Sequence, residues 1–314
     1  PKMLDFSNSK ILIVGDVMLD KYYFGKVDRI SPEAPVPIVN IQKEESRLGG
    51  ASNVANNIVS LGGHSLLCGV IGHDLFGKEI ERISRHKNID TFLLKTSSPT
   101  ITKARIIGGK QQIVRVDYED KSELNADNKK LFRDTISRIL PEYDILVISD
   151  YGKGLISEDL CRYLIKLAHK YDKKVIIDPK GKNWEKYSGA DIVTPNVKEL
   201  SDIVGYTVPN TDRAIEKAAR EAITNNHLSA LLVPRSDKGM SLIGPIPPIH
   251  IPTHSEEVFD VSGAGDTVVA TLGLCLAAGF EISEAMRTAN IAAGIVVKKV
   301  GTATLTIEEL VQQK

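Results

Sequence analysis

The sequence predicts an α/β protein in which a mostly parallel β-sheet is covered by helices on both faces. Two observations carry this prediction: short apolar, β-branched segments recur along the chain, and segments with helical spacing of apolar residues separate them. Strands buried on both faces are continuously apolar, and alternation of strand and helix is typical of parallel sheets. A chain of 314 residues lies within the range of one large α/β domain. We therefore expect a single domain over residues 1–314.

Six segments have the strand pattern: 10–16, 65–72, 143–150, 173–179, 190–196 and 229–235. Seven have helical spacing: 51–61, 75–86, 127–139, 157–171, 211–226, 264–278 and 283–298. The tail "TIEELVQQK" predicts one more short helix. In open α/β sheets ligands lie beyond the carboxyl ends of the strands. Five polar residues at strand ends are therefore expected to face one crevice: Asp16, Asp150, Asp178, Asn196 and Arg235.

Two segments interrupt this alternation. Residues 17–41 are rich in aromatics and prolines, and residues 98–118 alternate like half-exposed strands around a "GGK" turn. Both predict antiparallel strands that project from the main sheet. A small β-sheet beside the crevice would act as a lid or as a pairing surface.

Composition excludes several classes of protein. Forty basic and forty acidic residues cancel, so no global field favours nucleic acid or an anionic membrane. The longest apolar run is shorter than the roughly 20 residues of a membrane span, and no secretory leader pattern is present. Three cysteines lie far apart without a C-x-x-C pair, which favours a reduced, cytoplasmic setting. The P-loop pattern, the G-x-S-x-G elbow and His/Cys metal spacing are all absent.

The motif "VSGAGD", residues 261–266, directly precedes the longest apolar run. Glycines at 263 and 265 would let successive N–H groups converge on an anion at a helix N-terminus. Asp266 would lie in the first turn, where it can take a hydroxyl proton as that oxygen attacks phosphorus. The structural alternative is that Asp260 or Ser262 caps the helix and Asp266 complements the helix dipole.

The motif "RLGGASN", residues 47–53, repeats this design. Gly49 and Gly50 would let a ligand approach the backbone, and Asn53 would offer its amide to hydroxyl groups. In "GDVMLD", Asp16 and Asp20 suit a polyol, because each carboxylate can accept several hydroxyl hydrogen bonds. A plain loop and a turn with solvated acids are the corresponding structural alternatives.

Three further segments suggest phosphate chemistry. "TPNVKEL" places Asn196 and Glu199 on one helical turn, where they would hold Mg²⁺ through water or would simply cap the helix. In "VPRSDKG", Ser236 and Gly239 lie in a turn between two strands, a candidate rest for phosphate or ribose. Lys180 follows a strand end, where it would neutralise charge on phosphates or remain solvated.

In combination these motifs resemble the ribokinase-like (PfkB) sugar kinases. "GGASNVANNIVSLG", "TPNVKE" and "DVSGAGDTVVA" occur in that family's order and span almost the whole chain. The resemblance implies a three-layer α/β/α sandwich with a sheet of about nine strands, a β-lid often used for dimerisation, and the substrates ATP and Mg²⁺. Segments such as "PTITKARII" and "IDPKG" resemble more narrowly the heptose 7-phosphate kinases of this family, which phosphorylate the anomeric oxygen O1. In many bacteria such a kinase is fused to a C-terminal adenylyltransferase.

The resemblance also assigns roles to residues. Asp266 becomes the catalytic base, with the N–H groups of Gly263, Ala264, Gly265 and Asp266 as the anion hole. The nucleotide and Mg²⁺ would be held by these residues: Asn196, Val197, Lys198, Glu199, Ser236, Gly239 and Asn290. The sugar would be held by these: Asp16, Asp20, Gly49, Gly50 and Asn53.

A sugar that already carries a phosphate needs cations at the far end of its pocket. Lys103 and Arg105 lie on one face of a predicted lid strand, and Arg115 lies on the next, so at least one is expected to contact the 7-phosphate. A solvent-facing basic edge that discourages aggregation is the alternative.

Three other functions stay open from the sequence. The first is another sugar or nucleoside kinase of the same family. The second is a nicotinamide-dependent oxidoreductase, which the missing G-x-G-x-x-G disfavours. The third is a non-catalytic sugar-binding module.

Overall fold

The computed structural model describes residues 3–254, 257–258 and 260–314. Nine strands form the central sheet: β1 (Lys10–Gly15), β4 (His64–Gly72), β5 (Asp90–Thr96), β8 (Ile145–Ser149), β9 (Lys174–Asp178), β10 (Ile192–Val193), β11 (Ala230–Pro234), β12 (Met240–Ile243) and β13 (Ile249–Ile251). Four strands form a second sheet: β2 (Val17–Ile30), β3 (Pro37–Gly50), β6 (Ile101–Gly108) and β7 (Gln111–Tyr118).

The helices lie between these strands as the periodicity predicts. They are α1 (Ala51–Ser60), α2 (Leu75–His86), α3 (Ala126–Ile139), α4 (Glu158–Lys170), α5 (Val197–Val204), α6 (Asp212–Asn226), α7 (Ala264–Ala277), α8 (Ile282–Val296) and α9 (Ile307–Gln313). All seven helices predicted from spacing are present within a residue or two of their expected ends. None of the helices in the described ranges has the length and apolar character needed to cross a membrane.

The central sheet has the order β13-β12-β11-β10-β9-β8-β1-β4-β5. Its pairs are parallel from β5 to β11, and β12 pairs in the antiparallel sense with both β11 and β13 at one edge. Apolar side chains alternate between two buried clusters, so Ile11 and Ile13 of β1 face one layer of helices while Leu12 and Val14 face the other. The predicted α/β/α architecture is therefore confirmed.

The second sheet is the predicted lid, with one difference. It has the order β3-β2-β6-β7, and β2 pairs with β3 and β6 with β7 in the antiparallel sense. However, β2 and β6 run parallel, so the prediction of purely antiparallel lid strands is wrong. Both strands leave the carboxyl edge of the central sheet, β2 after β1 and β6 after β5, and they therefore point the same way. In addition, β3 continues to Gly50, well beyond the expected boundary at residue 41.

Candidate active site

The site lies where helices α1 and α7 begin, at the carboxyl edge of the central sheet. Asp266 is in the first turn of α7 and is only 5% exposed. Its Oδ2 accepts a hydrogen bond from Asn53 Nδ2 of α1 at 2.8 Å, and its Oδ1 accepts one from the Tyr151 hydroxyl at 2.9 Å. Burial raises the pKa of Asp266 to about 6, with a smaller contribution from Asp20, although these hydrogen bonds oppose the rise. The carboxyl group is thus fixed in place and poised to exchange a proton near neutral pH.

Helix α7 begins without a side-chain cap. Its N-cap residue is Gly263, whose φ of 77° lies in the left-handed region and whose added Cβ would lie 3.0 Å from Asn53 Nδ2. The carboxylate of Asp260 accepts instead from the amides of Ser262 and Gly301, so the capping alternative is not realised. Among the described residues, no acceptor takes the amides of Gly265 and Asp266. Two N–H groups of the helix start therefore remain available for an anion.

One member of the expected anion hole is already engaged. The amide of Ala264 donates to the Val261 carbonyl at 3.2 Å, so its predicted role requires that bond to break. A Cβ added to Gly265 would meet no atom within 4 Å, which means that this residue borders open space.

The glycine pair before α1 lies against two acids. A Cβ on Gly49 would approach Asp20 Oδ2 to 2.5 Å, and one on Gly50 would approach the Asp16 carbonyl to 2.4 Å. Glycine is needed at these two positions because a side chain would collide with the Asp20 carboxylate or the Asp16 carbonyl. Asp20 accepts from Arg105 Nη1 at 2.9 Å and is close enough to Asp266 to influence its pKa. The structure thus brings Asp20, Asn53 and Asp266 together.

Among the described residues, the Asp16 side chain makes no hydrogen bond to this group. Its carbonyl accepts from the Ala51 amide, whereas its Oδ2 accepts from the amides of Tyr151 at 2.8 Å and Lys153 at 3.4 Å. Burial raises the pKa of Asp16 to about 6, with Asp150 adding to the rise. The side chain lines a cavity of about 550 Å³ that also contacts Thr96. The other carboxylate oxygen of Asp16, Oδ1, is buried and has no hydrogen-bond partner among the described residues, so the predicted contact of Asp16 with sugar hydroxyls stays a prediction.

The lid presents cations on the face that carries Asp20. Strand register places Asp20 beside Lys103 and Tyr22 beside Arg105, and Arg105 in turn lies beside Arg115. Lys103 is half-buried, and the described residues provide no carboxylate within ion-pair distance of its ammonium group. Burial lowers the pKa of Lys103, and the cations of Lys153, Arg115 and Arg105 lower it further, against the opposing effect of Asp20. Such a group would be stabilised by a bound anion.

A second group of acids lies beyond β9 and β10. The side chain of Asp178 has no hydrogen-bond partner in the described part of the chain, and burial together with Asp266, Glu199 and Asp150 raises its pKa well above the usual value. Asn196 and Glu199 form a capping box at the start of α5, so the capping alternative is realised. Burial also raises the pKa of Glu199, while Lys180 lowers it.

The remaining predicted nucleotide residues lie at the same edge of the sheet. Val197 and Lys198 begin α5 after β10, and Ser236 and Gly239 connect β11 to β12. Asn290 of α8 donates its side-chain amide to the Pro252 carbonyl at 2.8 Å. Arg235 does not face the crevice with a free guanidinium, because it is buried and bonded to Asp212, Asn210 and Ser241.

Sequence reasoning missed three residues of the site. Tyr151 contacts Asp266, Lys153 influences Lys103, and Asn57 links α1 to Thr267 of α7. Tyr151 and Lys153 stand in "SDYGKG", directly after a predicted strand end. The two glycines in this segment, just after a strand end, were the sequence signal that could have pointed to these residues. Asn57 offered none, because a single amide within a helix is common.

Comparison with known proteins defines the class to which this protein belongs. Residues 8–309 match the model of the pfkB family of carbohydrate kinases, and the chain belongs to this family. Over 308 residues it is 45% identical to the bifunctional protein HldE of Haemophilus influenzae, covering 98% of this chain and 63% of the relative. HldE of Vibrio vulnificus is 45% identical over 314 residues, covering 99% of this chain and 65% of the relative. The chain thus spans somewhat less than two thirds of the length of these relatives.

Solved structures agree on the fold. Phosphofructokinase-2 from Escherichia coli in complex with potassium superposes with a TM-score of 0.79 at 20% identity, covering 97% of both chains. Arabidopsis thaliana ribokinase complexed with ribose and ATP gives 0.76 at 19% identity, covering 97% of this chain and 98% of the ribokinase.

Proposed function

We propose that this chain transfers the γ-phosphoryl group of ATP to O1 of D-glycero-β-D-manno-heptose 7-phosphate and yields the 1,7-bisphosphate. This would be the kinase step of ADP-heptose synthesis for the lipopolysaccharide core. The observation that carries the kinase function is the buried Asp266 carboxyl beside the free amides of an uncapped helix start. The heptose substrate is supported by the narrower sequence resemblance and by 45% identity to HldE proteins.

In the proposed reaction Asp266 acts as the general base. It accepts the proton of the O1 hydroxyl while O1 forms a bond to the γ-phosphorus, and the bond to ADP breaks with its electron pair leaving on ADP. The amides of Gly265 and Asp266 would stabilise negative charge on the transferred oxygens. Asn53 and Tyr151 hold the carboxyl group in one orientation for this transfer. Closure of the lid would exclude water, which otherwise competes for the phosphoryl group.

The acids around Asp178 fit a magnesium ion. Mg²⁺ is commonly held by one or two carboxylates together with substrate phosphates and water. The Asp178 carboxylate has no hydrogen-bond partner in the described part of the chain, and burial, together with the charges of Asp266 and Glu199, raises its pKa. The described residues contain no cluster of three or more metal-ligating side chains, so phosphates and water would complete the coordination. Bound there, the ion would neutralise phosphate charge, and Asp178 and Glu199 would hold it.

The lid cations suit the phosphate already present on the sugar. We place the 7-phosphate near Lys103, because that ammonium lies beside three other cations and lacks an ion-pair partner among the described residues. Lys153, which the structure adds to this group, is paired with Glu119 at the end of β7. Arg105 is paired with Asp20 and would orient that carboxylate toward sugar hydroxyls.

The test is a panel of acceptors with ATP, including the heptose 7-phosphate, fructose 6-phosphate and ribose. ADP release and ³¹P NMR of the product would show the highest kcat/KM for the heptose and a phosphate on O1. A higher kcat/KM for fructose 6-phosphate or ribose would reject the heptose. Failure of every acceptor to stimulate ADP release would reject the kinase function and revive a binding module.

Asp266→Asn tests the base directly. Since the amide cannot accept the proton, we expect kcat to fall at least about 10²–10³-fold, with little change in sugar affinity. In the wild type, kcat/KM should decline as pH falls below about 6, because the base must be ionised and its pKa is raised to about 6. Turnover near the wild-type value in this variant would refute the assignment.

Three properties of the whole protein are also proposed. A homodimer through the lid is supported by exposed apolar side chains there, such as Val114 and Val116. A cytoplasmic setting is supported by three cysteines that are buried and unpaired. A fused adenylyltransferase in the full-length protein is supported by the bifunctional relatives, of which this chain spans 63% to 65%.

A further inference from the structure

One of the two hydrogen bonds to Asp266 comes from a loop with no assigned role. Tyr151 donates its hydroxyl to Asp266 Oδ1 at 2.9 Å. Burial and the nearby charge of Asp266 raise the pKa of this phenol well above its usual value of about 10, so the hydroxyl remains a donor throughout the working pH range. The bond therefore stabilises the ionised carboxylate selectively.

The loop that carries Tyr151 is held on three sides. Asp16 Oδ2 accepts from the amides of Tyr151 and Lys153. Lys153 forms an ion pair with Glu119 at the end of the last lid strand. A Cβ on Gly154 would lie 2.6 Å from the Lys121 carbonyl, so this part of the loop packs directly on backbone. These contacts restrict the position from which the phenol reaches the carboxylate.

We propose that Tyr151 is a positioning residue that orients the Asp266 carboxylate and keeps it ionised, with Asp16 fixing the loop that carries it. This inference rests on the proposed kinase function only for its effect on rate. Its effect on the protonation of Asp266 follows from the hydrogen bond alone. The buried carboxyl of Asp16 thereby acquires a role that does not require contact with the sugar.

The test is Tyr151→Phe, measured in two independent ways. This variant loses a hydrogen bond to the ionised form of Asp266. The midpoint of the acid limb in the pH profile of kcat/KM should therefore move to higher pH by about 1 unit. Activity relative to wild type should then fall about 5-fold at pH 6 and less than about 2-fold at pH 8.5. With ¹³C-labelled aspartate, the carboxyl signal missing from Asp266→Asn identifies Asp266, and its titration midpoint in Tyr151→Phe should rise by the same amount.

Tyr187→Phe is the matched control, because its hydroxyl donates to Asp150 Oδ2 at 2.6 Å rather than to Asp266. The Asp266 midpoint should not move in this variant, and thermal unfolding would verify that both variants fold. An unchanged Asp266 midpoint in Tyr151→Phe overturns the proposal, as does an equal loss of activity at every pH without a shifted limb. If the midpoint moves while no sugar is phosphorylated by the wild type, the kinase proposal fails and the link between Tyr151 and Asp266 stands.

Discussion

The titratable residues of the candidate site form an acidic group at the sheet edge and a basic group on the lid. The acids Asp178, Asp266 and Glu199 have pKa values raised mainly by burial, and the lid base Lys103 has a pKa lowered by burial and by its neighbours. Each shift means that the charged form is less stable here than in water. A ligand that is anionic toward the lid and brings a divalent cation to the acids would relieve both.

Lys103→Met is predicted to weaken binding of the sugar phosphate. Removing a cation from a half-buried phosphate contact should raise KM for the phosphorylated sugar about 10- to 100-fold, with a smaller effect on the unphosphorylated sugar. Steady-state kinetics with both sugars measures this difference. Lys110→Met, in the exposed turn of the same lid, is the control and should leave both KM values unchanged. Equal losses for the two sugars would refute a contact with the phosphate.

Gly265→Ala is predicted to reduce activity without loss of stability. The new methyl group would meet no protein atom within 4 Å, so it should take space that we assign to an anion beside the Gly265 and Asp266 amides rather than disturb packing. We expect kcat/KM for ATP to fall at least about 10-fold, as for a lost oxyanion donor. Gly273→Ala, later in α7, is the matched control, because its Cβ would sit 3.7 Å or more from its neighbours. That change should add about 0.5–1 kcal/mol of stability and preserve activity, by chemical denaturation and by assay.

At the scale of elements, helices α1 and α7 meet at the candidate site and fix its geometry. Asn53 reaches Asp266, Asn57 accepts from the Thr267 hydroxyl at 2.8 Å, and these groups are buried. A buried polar seam is stable only when its members are paired, so it specifies how α1 and α7 fit together. The register of these two helices therefore decides where the carboxylate points.

Helix α5 begins with a capping box whose Glu199 we also propose as a holder of Mg²⁺. Its capping box satisfies the helix start, and the same Glu199 lies close to Asp178. Glu199→Gln distinguishes the capping role from the proposed role in Mg²⁺ binding, because glutamine can replace glutamate in a capping box but carries no charge. We predict that the free energy of unfolding changes by less than about 0.5 kcal/mol, while the Mg²⁺ concentration for half-maximal rate rises about 10-fold.

The equivalent change in α9 controls for the cap itself. Glu309 caps that helix with Thr306, so Glu309→Gln alters the same capping geometry on a helix that carries none of the three acids Asp178, Glu199 and Asp266. Its Mg²⁺ dependence should match the wild type. If Glu199→Gln also matches it, then Glu199 is a cap alone.

For the whole molecule, the lid leaves apolar side chains in solvent. Val114, Val116 and Tyr118 alternate along one face of β7 and are 46%, 38% and 43% exposed. A pairing surface in a second copy would cover them, as large exposed apolar patches commonly mark interfaces. This supports dimerisation through the lid.

Val114→Lys is predicted to weaken that dimer. A charge in an apolar interface should raise the dissociation constant at least about 10-fold, measured by analytical ultracentrifugation. Leu131→Lys on α3 is the control, since Leu131 is similarly exposed at 49% but lies outside the lid. A wild-type chain that is monomeric at micromolar concentration would refute the dimer.

The sequence by itself determined the layers of this protein and the ends of its main helices. Continuous apolar strands such as 143–150 cannot face water, and helical spacing such as that of 211–226 requires one buried side, so local pattern suffices. The motif around Asp266 could also be recognised from the sequence, because glycines directly before an apolar helix are typical of an anion-binding helix start. The strands β5 and β13 were not predicted from their patterns, since they lie at the two sheet edges and are only partly buried.

Only the tertiary structure decided which polar groups meet. The hydrogen bonds from the amides of Tyr151 and Lys153 to Asp16 join residues that lie more than 130 positions apart in the chain. The parallel pairing of β2 with β6 likewise depends on two strands leaving the same sheet edge. Contacts across such separations carry no local periodicity. The pKa of Asp266 therefore depends on burial and on partners from other elements, which only the folded chain brings to it.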